Sequence, residues 1–554
     1  MGKRIYTLLL GLFLGFLLAF TSIHFINDDI TSNVISEASI IIGVTFTQAE
    51  RDSMITELES NREAYKALRK LKLDNSIPPA LNFNPIPTGR TFDATEKPIE
   101  WNIPRDVDLP KYRADLAFYS IRELASLIRQ HKITSVELTK FFLNRIAQYD
   151  DTLQAVITVT EELALEQAQE RDDELENGQY RGPMHGIPYG LKDLFAVEGY
   201  KTTWGAEPYK DQVRDETATV ATKLEEAGAV LIAKTTLGAL AYGDVWFGGT
   251  TRNPWNLDQG SSGSSAGSAA GTSAGLFPFA IGTETWGSIV SPANRTGTTG
   301  LRPTFGRISR HGAMALSWSM DKVGPLTRSA EDAAIVFDAI RGPDKKDQSV
   351  VDLPFNYSHE IDLNKLTIGY LKSAFESDYD NQKRDSLTLA TLKNLGAKLT
   401  PIQLPDYPTG DLSFILMAEG AAAFDQLTLS DKDDEMVRQG KSAWPNLFRS
   451  ARFIPAVEYI QANRARQELI QKMETLMQEI DLYVSPTYGG NNLLLTNLTG
   501  HPSVVLPNGF TDEGQPTSIT FIGDLFDEET ILEVAKKYQQ ATDFHKKHPL
   551  LFTR

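Results

Sequence analysis

A lysine and two serine-bearing loops carry the residue types from which this chain can do chemistry. Lys192 closes the segment Gly186-Ile187-Pro188-Tyr189-Gly190-Leu191-Lys192-Asp193. The loops downstream read Ser262-Gly263-Ser264-Ser265-Ala266-Gly267-Ser268-Ala269-Ala270 and Gly282-Thr283-Glu284-Thr285-Trp286-Gly287-Ser288-Ile289-Val290. A serine hydroxyl is a poor nucleophile at neutral pH and needs a positioned base that holds a lone pair. Lysine is such a base only when burial or a neighbouring cation lowers its pKa, and the apolar run Ile187 to Leu191 predicts burial. A serine between the two can relay the proton, because a hydroxyl both donates and accepts. Glycine beside the nucleophile lets backbone N–H groups reach a carbonyl oxygen as it gains charge, and Gly287 precedes Ser288 as that role requires. The trio suggests amide hydrolysis by Ser-Ser-Lys chemistry.

On these motifs the chain resembles the amidase signature family. The family's Gly/Ser-rich loop followed by G-[ST]-[DE]-x-x-G-S-[IV] matches Ser262–Ala270 and Gly282–Ile289. The match continues through Gly300–Ser309, Asp321–Arg328 and Asn497–Pro502, and spans residues 106–554. The resemblance implies that Ser288 is the acylated nucleophile, that Ser264 follows a cis peptide bond and relays the proton, and that Lys192 is the general base. It also implies that Ser265 supports the loop and that the backbone N–H groups of Thr285, Trp286, Gly287 and Ser288 form the oxyanion hole. No metal or organic cofactor is implied. The chain departs from the commonest pattern at Trp286, usually glycine, and at Val290, often arginine. Members similar to peptide amidases share the Gly-Thr-Glu-Thr-x-Gly-Ser-Ile-Val form of the loop. The amidase component of glutamyl-tRNA(Gln) amidotransferase is also similar, which leaves ammonia release from glutamine as an alternative, alongside a urethane or oligomer-amide hydrolase on the same triad.

Other readings of the same residues are poorer. Gly260–Gly275 alone resembles a flexible linker, but the apolar run Leu276–Ile281 and the second loop follow it directly. Gly263-Ser264-Ser265-Ala266-Gly267 fits a nucleophile elbow with Ser265 as nucleophile. That elbow needs an apolar strand leading in, whereas Arg252–Gln259 reads as a turn-rich loop. His545 and His548 read as part of a solvated C-terminal helix face, so no metal site is predicted, and no phosphate-binding G-x-x-x-x-G-K-[ST] loop occurs.

Composition bounds the rest. The 554 residues carry 72 acidic against 55 basic side chains, a net charge of −17 that opposes nucleic-acid binding. The expected partner is a small-molecule amide. With no cysteine, disulfides and thiol catalysis are excluded. Lys3 and Arg4 before the apolar Ile5–Phe20 give residues 1–28 the order of an export signal, and an apolar stretch over 5–26 is also long enough for a retained membrane anchor. The protein is therefore expected to be exported, either periplasmic or secreted, or held at a membrane by this segment.

Residues 29–105 are expected as an extension outside the catalytic block 106–554. Thr47-Gln48-Ala49-Glu50 predicts a capping box opening a helix with Met54, Leu58, Tyr65 and Leu68 at helical spacing, packing on the main domain. Asn75–Thr95, rich in proline and asparagine, predicts an extended strap. Within the main block, Thr134–Glu137 is a second capping box, Glu161–Glu176 a helix closed by Asn177-Gly178, and Ala229–Ala233 a short buried strand after the helix Ala218–Ala227. This alternation predicts α/β architecture. The resemblance makes it a large mixed β-sheet covered by helices on both faces, with an N-terminal helical extension.

Overall fold

The computed structural model describes residues 29–358 and 360–553. The predicted export or anchor segment, residues 1–28, lies outside the described residues. No helix among the described residues is long and apolar enough to cross a membrane.

Two compact units divide between Leu73 and Asp74. In the first, Thr47 and Glu50 form the predicted reciprocal capping box of the helix Gln48–Arg69. The Ser32 hydroxyl accepts from Gln48 and Arg51, tying that helix to its predecessor Ser32–Ile42. The strap, grouped in the sequence with the extension, falls in the second unit and runs from Asn75 to Thr95 without helix or strand.

Fifteen strands are numbered along the described chain: β1 Val156–Val159, β2 Pro188–Lys192, β3 Val230–Thr235, β4 Val245–Trp246, β5 Gly249–Thr250, β6 Arg252–Asn253, β7 Asn256–Gly260, β8 Phe279–Glu284, β9 Thr299–Arg302, β10 Lys322–Thr327, β11 Thr367–Leu371, β12 Lys398–Ile402, β13 Leu482–Pro486, β14 Ser503–Phe510 and β15 Pro516–Gly523. Eleven form one sheet in the order β1-β3-β2-β8-β10-β9-β14-β15-β13-β11-β12. β2 runs parallel to both β3 and β8, and β8 pairs antiparallel with β10. Every residue of β2, β3, β8 and β10 is buried. A strand buried along its whole length has both faces covered, and the helix Ala266–Ser273, itself wholly buried, supplies part of that cover on β8. The chain is thus α/β with a large mixed sheet between helices.

The predicted helix Glu161–Glu176 is present with its Asn177 cap and Gly178 at φ +78°, and Thr134 caps the helix Ser135–Leu153 through Glu137. Two expectations need correction. Arg252–Gly260 is a small hairpin of β6 and β7, with Pro254 and Trp255 at its turn. Local turn residues marked the tip and hid the strands. The C-terminal histidines are not on a solvated helix face: the helix Glu528–Thr542 ends before them, and His548 stacks on Phe118 with ring centroids 3.9 Å apart. Burial pulls both imidazoles down, His545 to about 4 and His548 to about 3.

Candidate active site

Strand β2 delivers Lys192 to the interior at its C-terminal end, fully buried between β3 and β8. Its Nζ donates to Ser264 Oγ at 2.8 Å, Ser265 Oγ at 3.0 Å and Thr283 Oγ1 at 2.8 Å. The Thr283 carbonyl lies at 3.5 Å. No carboxylate is within ion-pair distance among the described residues. Burial drives the lysine pKa far below its ordinary value, outweighing the upward pull of Asp321 and Glu284.

The two neighbouring serines differ in where their protons go. Ser265 Oγ donates to the Thr283 carbonyl at 3.0 Å and accepts from Thr283 N–H at 3.1 Å, so its hydroxyl braces the loop against β8. Ser264 Oγ has Lys192 as its hydrogen-bond partner. The Gly263–Ser264 peptide bond is cis, and a Cβ on Gly263 would lie 1.9 Å from the Gly243 carbonyl oxygen. Only glycine allows this approach.

The second loop follows β8 directly. Ser265 N–H donates to the Ser288 carbonyl at 3.1 Å, joining the two loops, and Ser288 is 8% exposed where Ser264 and Lys192 are 0%. Among the described residues, no protein acceptor takes the backbone N–H groups of Thr285, Trp286, Gly287 or Ser288. Gly287 has φ +88°, and a Cβ there would also crowd Ser291 and Leu493. Trp286 is 42% exposed. Val290 is buried in a small apolar cluster with Ala269, Ile289, Ala293, Leu326 and Val505, so it contributes packing rather than charge.

Several residues that hold this loop carried no local sequence signal. Glu284, the last residue of β8, accepts from Ile289 and Val290 N–H at 2.9 Å each, from Arg302 at 2.9 Å and from Asn497 at 2.8 Å. Burial pushes its carboxyl up, but Arg302 and these donors prevail and hold it at about 2. Asp321 accepts from the Thr285 hydroxyl at 2.6 Å and from Leu316 and Ser317 N–H; burial raises its pKa. The motif residues Glu284, Arg302 and Asn497 stand in the matched segments, yet only the fold shows that they meet.

A fully buried lysine among hydroxyls, beside a loop with four free N–H groups, can accept a proton and stabilise an oxyanion. Comparison with known proteins agrees. A family model described as Amidase matches residues 137–496. The amidase component of the glutamyl-tRNA(Gln) amidotransferase of Marinomonas sp. (strain MWYL1) is 34% identical over 480 residues, covering 78% of this chain and 98% of that protein. The solved peptide amidase of Stenotrophomonas maltophilia superposes with a TM-score of 0.70 at 29% identity, over 78% of this chain and 98% of that one. An amidase family protein from Bacillus anthracis str. Ames gives 0.71 at 27% identity, over 78% and 93%. From its sheet, its loops and these likenesses, the chain belongs to the amidase family, whose reaction is the hydrolysis of carbon–nitrogen amide bonds.

Proposed function

We propose that the protein is an amidase that hydrolyses a small-molecule amide through an acyl-enzyme on Ser288, with Lys192 as base and Ser264 as relay. The observation that carries this reading is the buried Lys192 amine, bonded to hydroxyls with no carboxylate within ion-pair distance among the described residues. An amine in that setting loses its proton readily and then holds a lone pair toward Ser264. Neutral Lys192 takes the Ser264 proton while Ser264 takes that of Ser288. Ser288 Oγ bonds to the carbonyl carbon, and the oxygen, now negative, is met by the N–H groups of residues 285–288. The relayed proton passes to the nitrogen as the carbon–nitrogen bond breaks and the amine leaves. Water then repeats the sequence on the ester and releases the acid. The brace made by Ser265 favours Ser264 over Ser265 as the relay and speaks against Ser265 as nucleophile.

The test is labelling with a serine-reactive fluorophosphonate together with turnover of an amide panel. Ser288→Ala should lose both; Ser264→Ala should lose turnover. Labelling that survives in Ser288→Ala and disappears in Ser265→Ala would overturn the assignment.

The 34% identity to the amidase component of an amidotransferase favours a second reading, in which glutamine is the amide and ammonia passes to a partner protein. Ammonia released from glutamine but from no other amide, and only with partner proteins added, would select it. Export, read from the charged and then apolar order of residues 3–20, would separate the chain from charged transfer RNA. Cell fractionation with N-terminal sequencing tests export, and an intact chain in the cytosol would contradict it.

A further inference from the structure

A cavity of about 340 Å³ adjoins the catalytic strand. Its inner end is walled by residues from each segment that carries the chemistry: Leu194, two residues past Lys192; Ala241, in the turn that abuts Gly263; and Thr283 and Thr285, at and just after the end of β8. Thr283 is the residue whose hydroxyl accepts from Lys192, and Thr285 opens the run of free N–H groups. A space in contact with all three segments is placed to receive part of whatever reacts there, and its volume is within the range of about 300–1,000 Å³ typical of small-molecule sites.

Its other wall is the strap, which supplies Asn75, Ser76, Pro78, Pro79 and Phe83 and lies outside the matched residues 137–496. The strap is fixed at both ends of this stretch. Asn75 donates to the Ala315 and Ala423 carbonyls at 2.9 and 3.3 Å and accepts from Ala315 N–H at 2.7 Å. Phe83 lies under the Arg466 guanidinium, 3.5 Å from its ring centroid, and meets Phe305 edge-on at 5.0 Å.

The charges around the cavity are already committed. Asp321 accepts at both oxygens, Arg310 is paired with Asp347 and bonded to the Trp318 carbonyl, and Lys322 Nζ donates to the Met320 carbonyl. The inner wall adds Met314 and Leu316 to Leu194 and Ala241. Such a lining favours an uncharged group with an apolar body and penalises an ion that would have to shed water without gaining a partner. We propose that residues 75–83 form a wall of the substrate pocket, and that this pocket takes an uncharged, apolar arm of the amide beside the scissile bond. The proposal rests on Ser288 being the residue that is acylated.

The absence of cysteine from the chain allows a direct test with single-cysteine variants. Ser76→Cys places a thiol on the strap, Ala315→Cys one on the facing wall, and Ser386→Cys an exposed control on the distant helix Gln382–Asn394. Each is modified to completion at Ser288, as read by intact mass, with a fluorophosphonate bearing either methyl or decyl arms, and maleimide reaction is then timed. The decyl probe should slow both pocket thiols by about tenfold relative to the methyl probe and leave the control unchanged. Equal rates with the two probes at Ser76→Cys, at full modification of Ser288, would overturn the strap as a wall, even if Ala315→Cys were protected. Failure of both probes to modify Ser288 would instead strike the acyl-enzyme reading beneath the proposal.

Discussion

Lys192 and Lys234 are both fully buried, on neighbouring parallel strands, and their surroundings differ in one respect that separates reactivity from structure. Lys234 Nζ forms an ion pair with Asp193 at 2.7 Å, with the Lys201 carbonyl at 2.9 Å and Thr202 hydroxyl at 3.1 Å completing its shell. Lys192, in register with Thr235 one residue beyond Lys234 on β3, meets only hydroxyls and one distant carbonyl. A buried cation with a carboxylate is held charged by Coulomb attraction; one with hydroxyls alone gives up its proton to escape the cost of desolvation. The same residue type, a few ångströms apart in the same sheet, is thereby made into a structural tie on β3 and a base on β2.

The sharpest way to break this comparison is to remove each amine. Lys192→Met should lower kcat/KM by about 10²–10⁴-fold, the usual worth of a general base, while the protein melts at a higher temperature, because an amine that is costly to bury has been replaced by an apolar chain of similar length. The sign of its pH dependence follows from the lowered pKa. Between that value and the ordinary lysine pKa the unfolded chain binds a proton that the native lysine does not, so wild-type stability rises with pH across the window and the advantage of Lys192→Met shrinks. Thermal melts of the two proteins from neutral to alkaline pH check this; a variant that melts lower than wild type at neutral pH would mean that Lys192 is held charged.

Breaking the paired lysine should do the opposite. Asp193→Asn leaves the buried Lys234 without its counter-charge and is expected to cost about 3–5 kcal/mol of stability, and Asp193→Asn with Lys234→Met together should recover most of it. Urea unfolding measures both. If the single and double variants were equally destabilised, the pair would not be acting as a pair.

How far the chain could be read without its fold follows the same division. The Lys192 segment and both serine loops were legible because their chemistry is local: an apolar run, glycines beside serines, short spacings. The loop's anchors were not, since Glu284 meets Arg302 and Asn497 from 18 and 213 residues away, and no period or composition encodes that. The strap was legible as extended chain from its prolines. Its place at the cavity depends on Asn75 reaching Ala315 across 240 residues. The β6–β7 hairpin was missed because the residues that make its turn outweighed four short strand positions.

Activity should rise with pH along one limb. A base works in its neutral form, so kcat should grow as Lys192 loses its proton, from a midpoint below the ordinary lysine range, and fall away in acid. Glu284, held at about 2, stays ionised through that range and adds no second limb above about pH 4. A bell-shaped profile, or an acid optimum, would show that another group is the base.

The smallest expected effect concerns the turn that supports the relay. Leu240 and Ala241 both have left-handed backbones, at φ +50° and +61°, a conformation that costs non-glycine residues about 1–2 kcal/mol each. The turn leads to Gly243, whose carbonyl presses on Gly263. Trp444 Nε1–H donates to the Leu240 carbonyl at 2.9 Å, and its ring stacks on Phe448 at 4.9 Å. Trp444→Phe keeps an aromatic ring and removes the donor, leaving a buried carbonyl unmet at a cost of about 1–3 kcal/mol. Part of that should be relieved by rotation of the strained turn away from Gly263, which would loosen Ser264 against Lys192. We therefore expect kcat to fall by about fivefold with KM unchanged, the signature of a positioning residue rather than of a substrate contact. Steady-state kinetics beside a thermal melt distinguish the cases: a lower melting temperature with kcat intact would make Trp444 a structural tie like Lys234, with no part in placing the relay.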